Sequence, residues 1–597
     1  MECGRDIYRT FYLILDLLKA IRGRLCVLQI MAPEPESVSI KMAAMSQPVP
    51  VSTTTFTGHE EKPRNLITEA ALSTNVTQED PNNEQAEDGY GARPACFKTT
   101  VQELLFVFIA TMAMAMNAIL AGTTTVIPYF VALDLDMSQA QLTWFTASSS
   151  LASGAFLLFF GRIADMYGRK TMIIVSFFLF AIFTLACGFA KSAIVLDVLN
   201  GVLGLLCASA IPPAQGSLSL VYGKPSRRKN AAFACFSAGN PVGFACGMVF
   251  AGIATQLFSW RASYWLLSIM YLVLTVAAFF CVPSDTTPKR PFNRETFKQF
   301  DVVGMLLTIA GIAMFSAGLS LGSNAPQGWV TGYVLALIIV GFAIIVAFVA
   351  WESKYPYPLL PMTIWKDMTF SLLMAILLLG YMAFPPGMFF LALFFQRVWE
   401  FSALSTAVHL LPLAVMGVMV NIFAGAFMHR VNNKLLMLVG TTSYTLSFLL
   451  LALNRTSSSY WAFCFPAFLL CVVGADLEFN VANMYVMTTL PVDQQSIAGG
   501  ILQMITKLFT TVSFGIVTAI FDAVQKNPTW GGYYKAYPAT QPYSAVLWFT
   551  TAACALSVVL SLFLSIGTQG GDEKKTDAEV NGRQGIQNWI DPEIDLR

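Results

Sequence analysis

Four ionisable residues stand where such residues are rare. Asp197, Asp476, Glu478 and Lys507 each interrupt a run of apolar residues about twenty long. Placing one in hydrocarbon costs about 2.5–3.5 kcal/mol on insertion scales, so each needs a reason. The chemistry open to them is proton transfer, ion pairing or recognition of a polar solute. A carboxylate inside the membrane can load and release a proton, and Asp197, with Asn200 one turn on, is the favoured carrier. Asp476 and Glu478 lie two residues apart. They cannot share one helix face, so at most one points straight at an interior cavity. Lys507 can pair with either acid, as working element or structural bridge. His409 reads as a helix-packing histidine.

Other chemistry finds no support. There is no HExxH and no nucleotide-binding glycine loop. The eleven cysteines are scattered without a CxxC pair, and there are only three histidines. No metal, no cofactor and no enzyme activity are expected, nor an ATP-driven pump. A net charge of +1 gives no footprint for nucleic acid.

The elements that carry these residues are membrane spans. Of the 597 residues, 56% are hydrophobic and 12% charged, with mean hydropathy +0.61; soluble domains carry about 25% charged residues. Fourteen apolar runs are long enough to cross a bilayer: 101–128, 141–160, 171–190, 193–214, 231–256, 263–282, 302–322, 331–351, 370–395, 403–427, 435–453, 461–488, 499–523 and 543–566. They are spans 1–14 below. Phe384-Pro385-Pro386-Gly387 predicts a kink in span 9. Loop charges test the count. One set of alternate loops carries fifteen Lys and Arg, among them Arg169, Lys170, Lys229 and Lys434, and the other set six. The bias places the basic loops and both termini in the cytoplasm.

Two loops suggest a repeat. Gly161–Lys170 joins spans 2 and 3, and Gly425–Lys434 joins spans 10 and 11. Both are ten residues long, begin with Gly and end with Lys. The fold class follows: an all-α polytopic membrane protein of two six-span halves with two extra central spans. The expected divisions are a mostly disordered tail over 1–99, a six-span half over 100–282, a linker with spans 7 and 8 over 283–351, a second half over 352–566, and a polar tail over 567–597. Residues 8–30 carry too many charges to span. They read as a surface helix, or as an extension upstream of a start at Met42 or Met45.

Gly161, Asp165, Gly168, Arg169 and Lys170 resemble the signature loop of the major facilitator superfamily. In span 5, Gly239, Pro241, Gly243 and Gly247 look like the antiporter motif of that superfamily, though Asn240 separates Gly239 from Pro241. Trp260-Arg261 and the span number are similar to the fungal fourteen-span drug:proton antiporters near the aminotriazole-resistance pumps. The resemblance covers about residues 100–566. It departs in span 4, where Asp197-Val-Leu-Asn200-Gly201 stands in place of Arg-x-x-Gln-Gly, and in span 1, which lacks the acidic residue common in that family, Asn117 being the nearest polar group.

The resemblance implies a secondary transporter moving small amphipathic compounds out of the cell against protons. It would be a monomer in the lipid bilayer of the plasma membrane, or alternatively of the vacuole. An uptake or facilitative carrier for a small solute such as ammonium is the alternative on the same fold; a membrane receptor or enzyme is a distant third. Asn454-Arg455-Thr456 is a glycosylation sequon in a loop expected outside, whereas Asn75-Val76-Thr77 should stay cytoplasmic and unmodified.

Overall fold

The structure is a computed structural model. It describes residues 93–94, 96–222, 227–284, 301–322, 325–356, 358, 365–427, 431–489, 495–527 and 538–566, all within one unit, Asn82–Arg597. Residues 1–92, which include 8–30 and Asn75, the 285–300 loop, His429 and Arg430, and the tail from 567 lie outside the described residues.

Among the described residues, fourteen helices are long and apolar enough to cross a membrane: Thr100–Val126, Gln139–Tyr167, Arg169–Gly188, Ala193–Val221, Arg227–Leu257, Trp260–Cys281, Val302–Leu321, Gly332–Glu352, Met368–Arg397, Ala403–Phe427, Asn433–Ala452, Tyr460–Thr489, Gln495–Lys526 and Gln541–Leu562. They match the fourteen apolar runs in order. A short helix, Pro128–Leu135, lies between spans 1 and 2, and no strand occurs among the described residues. Several helices outrun their apolar cores, because hydrogen bonding continues past the hydrocarbon boundary. Span 2 reaches Tyr167, and span 5 begins at Arg227.

Pairing follows one scheme twice. Span 1 packs on span 5, span 2 on span 4 and span 3 on span 6; span 9 packs on span 13, span 10 on span 12 and span 11 on span 14. The two sets meet along two seams, span 2 with span 13 and span 5 with span 10. Moving span 2 forward by eight and span 13 back by eight turns one seam into the other, as a twofold pseudo-axis requires. Spans 7 and 8 form a hairpin closed by Asp301, whose Oδ1 accepts from the Gly304 N–H at 2.7 Å and from the Trp351 indole at 2.9 Å. Span 7 lies against spans 13 and 2, and the Ser316 hydroxyl donates to the Thr511 carbonyl at 2.9 Å. The extra hairpin therefore packs, among the described residues, against one seam and not the other. Span 8 turns Ile339 and Phe342 outward, 63% and 60% exposed, as a lipid-facing helix does.

Glycines fix the tightest contact. On span 5, Gly239, Gly243 and Gly247 stand four residues apart. A Cβ at each would strike the carbonyl of Thr111, Ala115 and Ile119 in turn, three span 1 residues at the same interval. Two backbones approach that closely only without side chains between them.

Span 9 stays helical through Pro385 and Pro386. Each proline strips a carbonyl four residues back of its N–H donor. The Met382 carbonyl accepts instead from Ser513 of span 13 at 2.5 Å, whereas the Thr510 hydroxyl, 3.4 Å from the Tyr381 carbonyl, gives its one proton to Thr506 at 2.8 Å.

Candidate functional site

A cavity of about 190 Å³ lies between the two halves. Spans 1, 2, 4 and 5 line it from one side and spans 9 to 13 from the other. The first half contributes small polar groups: Asn117, Thr146, Ser149, Ser150, Ser153 and Asn240. The second contributes aromatics (Tyr381, Phe384, Tyr444, Phe479 and Phe514) and two ionisable residues, Asp476 and Lys507. Phe244 of span 5 extends the aromatic wall, with its ring 6.5 Å from Phe384.

The five candidate proton or substrate residues scatter. Only Asp476 and Lys507 line the cavity. Asp476 Oδ2 accepts from the Asn421 amide at 2.9 Å, and Asn421 Oδ1 accepts from Asn480 at 3.3 Å. Span 12 sends its second acid elsewhere. Glu478, 1% exposed, lies against Gly380 of span 9, behind the wall that Tyr444 forms, and its Oε1 has no hydrogen-bond partner. No ion pair joins Lys507 to either acid among the described residues.

Asp197 lies one turn into span 4 and does not line the cavity. Its Oδ1 is buried without a hydrogen-bond partner. Asn200 is committed to packing: its amide donates to the Leu196 carbonyl at 3.0 Å, and its oxygen accepts from the Tyr264 hydroxyl at 3.1 Å. Span 4 turns this face toward span 6, because Tyr264 is fully buried there.

The signature loop is a break between two helices. Gly168 has φ +110°, ψ +126°, which side-chain-bearing residues rarely adopt, and span 3 starts at Arg169 directly after it. A Cβ on Gly161 would touch the Pro212 ring of span 4, and one on Gly216 would meet the Arg169 guanidinium. Lys170 sits 5.9 Å above the Phe279 ring. The side chain of Asp165 lies outside the described residues. In span 5, Pro241 lines the cavity and meets Gly417 of span 10, joining the two halves at mid-height.

Sequence reasoning missed three features. Glu103, buried at 5%, accepts from the Tyr222 hydroxyl at 2.9 Å and pairs with Arg228 at 2.8 Å, tying spans 1, 4 and 5 together. Asp134 pairs with Arg261 at 2.5 Å and accepts from the Trp260 indole at 3.1 Å. The third is a clasp between the halves at the end away from the basic loops. There Gln396 donates to the Val126 carbonyl at 2.6 Å and Arg397 to Gln139 at 2.9 Å, and the Thr518 and Thr143 hydroxyls lie 2.9 Å apart. Each partner is an ordinary polar residue near a span end, so only the tertiary pairing distinguishes it.

The expected glycan acceptor is buried. Asn454 is 2% exposed, and its amide nitrogen contacts Cys464 Sγ at 3.3 Å. Folding thus draws the sequon asparagine under span 12, which its position in a loop did not foretell.

A cavity between pseudo-symmetric helical halves, clasped at one end, is the geometry of a membrane carrier, and known proteins agree. Residues 104–514 match the model of the Major Facilitator Superfamily. The chain is 27% identical to the low affinity ammonium transporter of Saccharomyces cerevisiae over 72% of this chain and 83% of that one. It is 25% identical to efflux pump terJ of Aspergillus terreus over 78% and 88%, and 24% identical to the aminotriazole resistance protein of Saccharomyces cerevisiae over 78% and 85%. A crystal structure of the nucleoside transporter NupG shares the fold, with TM-score 0.52 and 13% identity over 77% of this chain and 99% of that one. With fourteen spans and a family match over most of its membrane-spanning part, this chain belongs to the Major Facilitator Superfamily of membrane transporters.

Proposed function

We propose that the protein exports small amphipathic compounds from the cytoplasm in exchange for protons, by alternating access. The observation that carries this reading is the carboxylate of Asp476 in the wall of a cavity built by both halves. A proton taken up there changes the charge of the chamber that holds the solute. It can therefore bias the balance between the two orientations of the halves. Asp476 is preferred to Asp197 as carrier because Asp197 stands apart from the cavity. The mixed aromatic and hydroxyl lining suits an amphipathic solute. Relatives named as an efflux pump and a resistance protein support export. We place the protein in the plasma membrane as a monomer, its six-span halves at 100–282 and 352–566 with spans 7 and 8 between.

The test is flux in proteoliposomes holding the purified chain under an imposed pH gradient. Protons moving down their gradient should drive solute the opposite way. Solute moving with the protons, or indifferent to them, would overturn the antiport. Uptake is the second reading, supported by the relative named as an ammonium transporter. The same assay with labelled methylammonium separates the two by the direction of flux.

A further inference from the structure

The two ionisable residues of the cavity are not equivalent. Asp476 is already met, by the Asn421 amide at 2.9 Å. Lys507 has no carboxylate within ion-pair distance among the described residues, and no hydrogen bond engages its ammonium. An unpaired cation at this depth is costly and marks a place where an anion would be favoured. The groups around it are donors as well. The Lys507 stem lies against Gly154 of span 2. Beside Gly154 is Ser153, with Ser150 one turn away on the same helix face, and both line the cavity with hydroxyls that make no hydrogen bond among the described residues. Gln503, four residues before Lys507, brings an uncommitted amide to the same wall. One ammonium, two free hydroxyls and one amide therefore line the same cavity from two spans, one in each half. The adjoining wall is aromatic, with Tyr381 and Phe514 on neighbouring spans.

We propose that this pocket binds an arene-bearing organic carboxylate, its anionic head on Lys507, Ser150 and Ser153 and its ring against the aromatic wall of the second half. A ligand held this way touches spans 2 and 13 at once, so its binding reports on the seam between the halves. The proposal deepens the export reading by naming a substrate class, and it rests on that reading only for the direction of movement. Binding itself needs no gradient.

The test uses the full chain in detergent and three radiolabelled probes of matched shape in equilibrium dialysis: 3-phenylpropionate, 3-phenylpropan-1-ol and 3-phenylpropylammonium. The carboxylate should bind at least about tenfold tighter than either other probe. Lys507→Met should erase that preference, Lys507→Arg should keep most of it, and Ser150→Ala with Ser153→Ala should reduce it severalfold. If Lys507→Met fails to fold, the serine pair and the arginine variant still decide. Tighter binding of the ammonium probe, equal binding of all three, no carboxylate binding at millimolar concentration, or an unchanged preference in the serine and methionine variants would each overturn the proposal. Proton-driven export could survive any of these results. Conversely, loss of proton coupling would leave the dialysis result standing.

Discussion

The Ser513 hydroxyl donates to the carbonyl of Met382 at 2.5 Å, replacing the donor that Pro386 removes from span 9. A hydroxyl of span 13 thus repairs one of the two gaps, in the segment of span 9 that brings Tyr381 and Phe384 to the cavity wall. Ser513→Ala leaves a buried carbonyl unmet, which costs about 1–3 kcal/mol. The expected result is a lower unfolding temperature in detergent for Ser513→Ala, largely recovered when Pro386→Ala restores the backbone donor. Additive losses in the double variant would refute the repair.

The acids of span 12 should separate by function. Asp476→Asn is expected to abolish accumulation against a gradient while sparing solute counterflow, because exchange does not require the proton to cycle. Glu478→Gln, away from the cavity and close in shape to the native residue, should retain uphill transport. Asp197→Asn is the control for the carrier set aside. Uphill transport that survives in Asp476→Asn and fails in Asp197→Asn would return the proton to span 4.

The glycine stair on span 5 predicts a steep dependence on volume. Gly243→Ala and Gly247→Ala each push a methyl into a span 1 carbonyl, and overpacking of this kind costs about 1–3 kcal/mol. Gly332→Ala, where no atom lies within 4 Å of the added carbon, should be near neutral. Folded yield by fluorescence-detected gel filtration ranks the three. Equal yields would remove the close approach of spans 1 and 5 as a constraint.

The clasp predicts a conformational bias. Gln396→Ala combined with Arg397→Ala removes two of the hydrogen bonds that hold the halves together away from the basic loops. A cysteine placed at Ser149, in the cavity, should then react faster with an impermeant thiol reagent added outside cells. The cysteines already in the chain are accounted for by a matched variant without Ser149→Cys. Unchanged labelling would mean that other contacts keep that end shut.

The burial of Asn454 makes a simpler prediction. The mature protein should show no mobility shift on endoglycosidase treatment. A shift abolished by Asn454→Gln would mean that the loop sits differently from the structure described.

Much of the fold was legible because hydrocarbon thickness sets a length that apolar runs must meet, and because loop cations report side. The repeat was visible in two basic turns and becomes geometric in the pairing of spans. The cavity was harder to read, for a physical reason. Lipid-facing and cavity-facing residues are both apolar, so periodicity alone does not say which way Phe384 or Phe342 points. Asp476 and Lys507 stood out because charge is rare in a span, but the same signal marked Asp197 and Glu478, which the fold places elsewhere. Asn421 and Asn480 carried no such signal, since a neutral amide in a helix announces itself only through its partner. Glu103 lay near the end of its span, where an acid seems to need no explanation.

The hairpin of spans 7 and 8 makes the two seams unequal toward lipid. Where span 7 covers the junction of spans 2 and 13, a compound dissolved in the bilayer meets protein. At the junction of spans 5 and 10 it meets the carrier's own two halves, with Gly252 packed on Ala407 and Pro241 on Gly417. A solute partitioned into the membrane therefore meets, among the described residues, an added hairpin at one seam and small side chains of the two halves at the other.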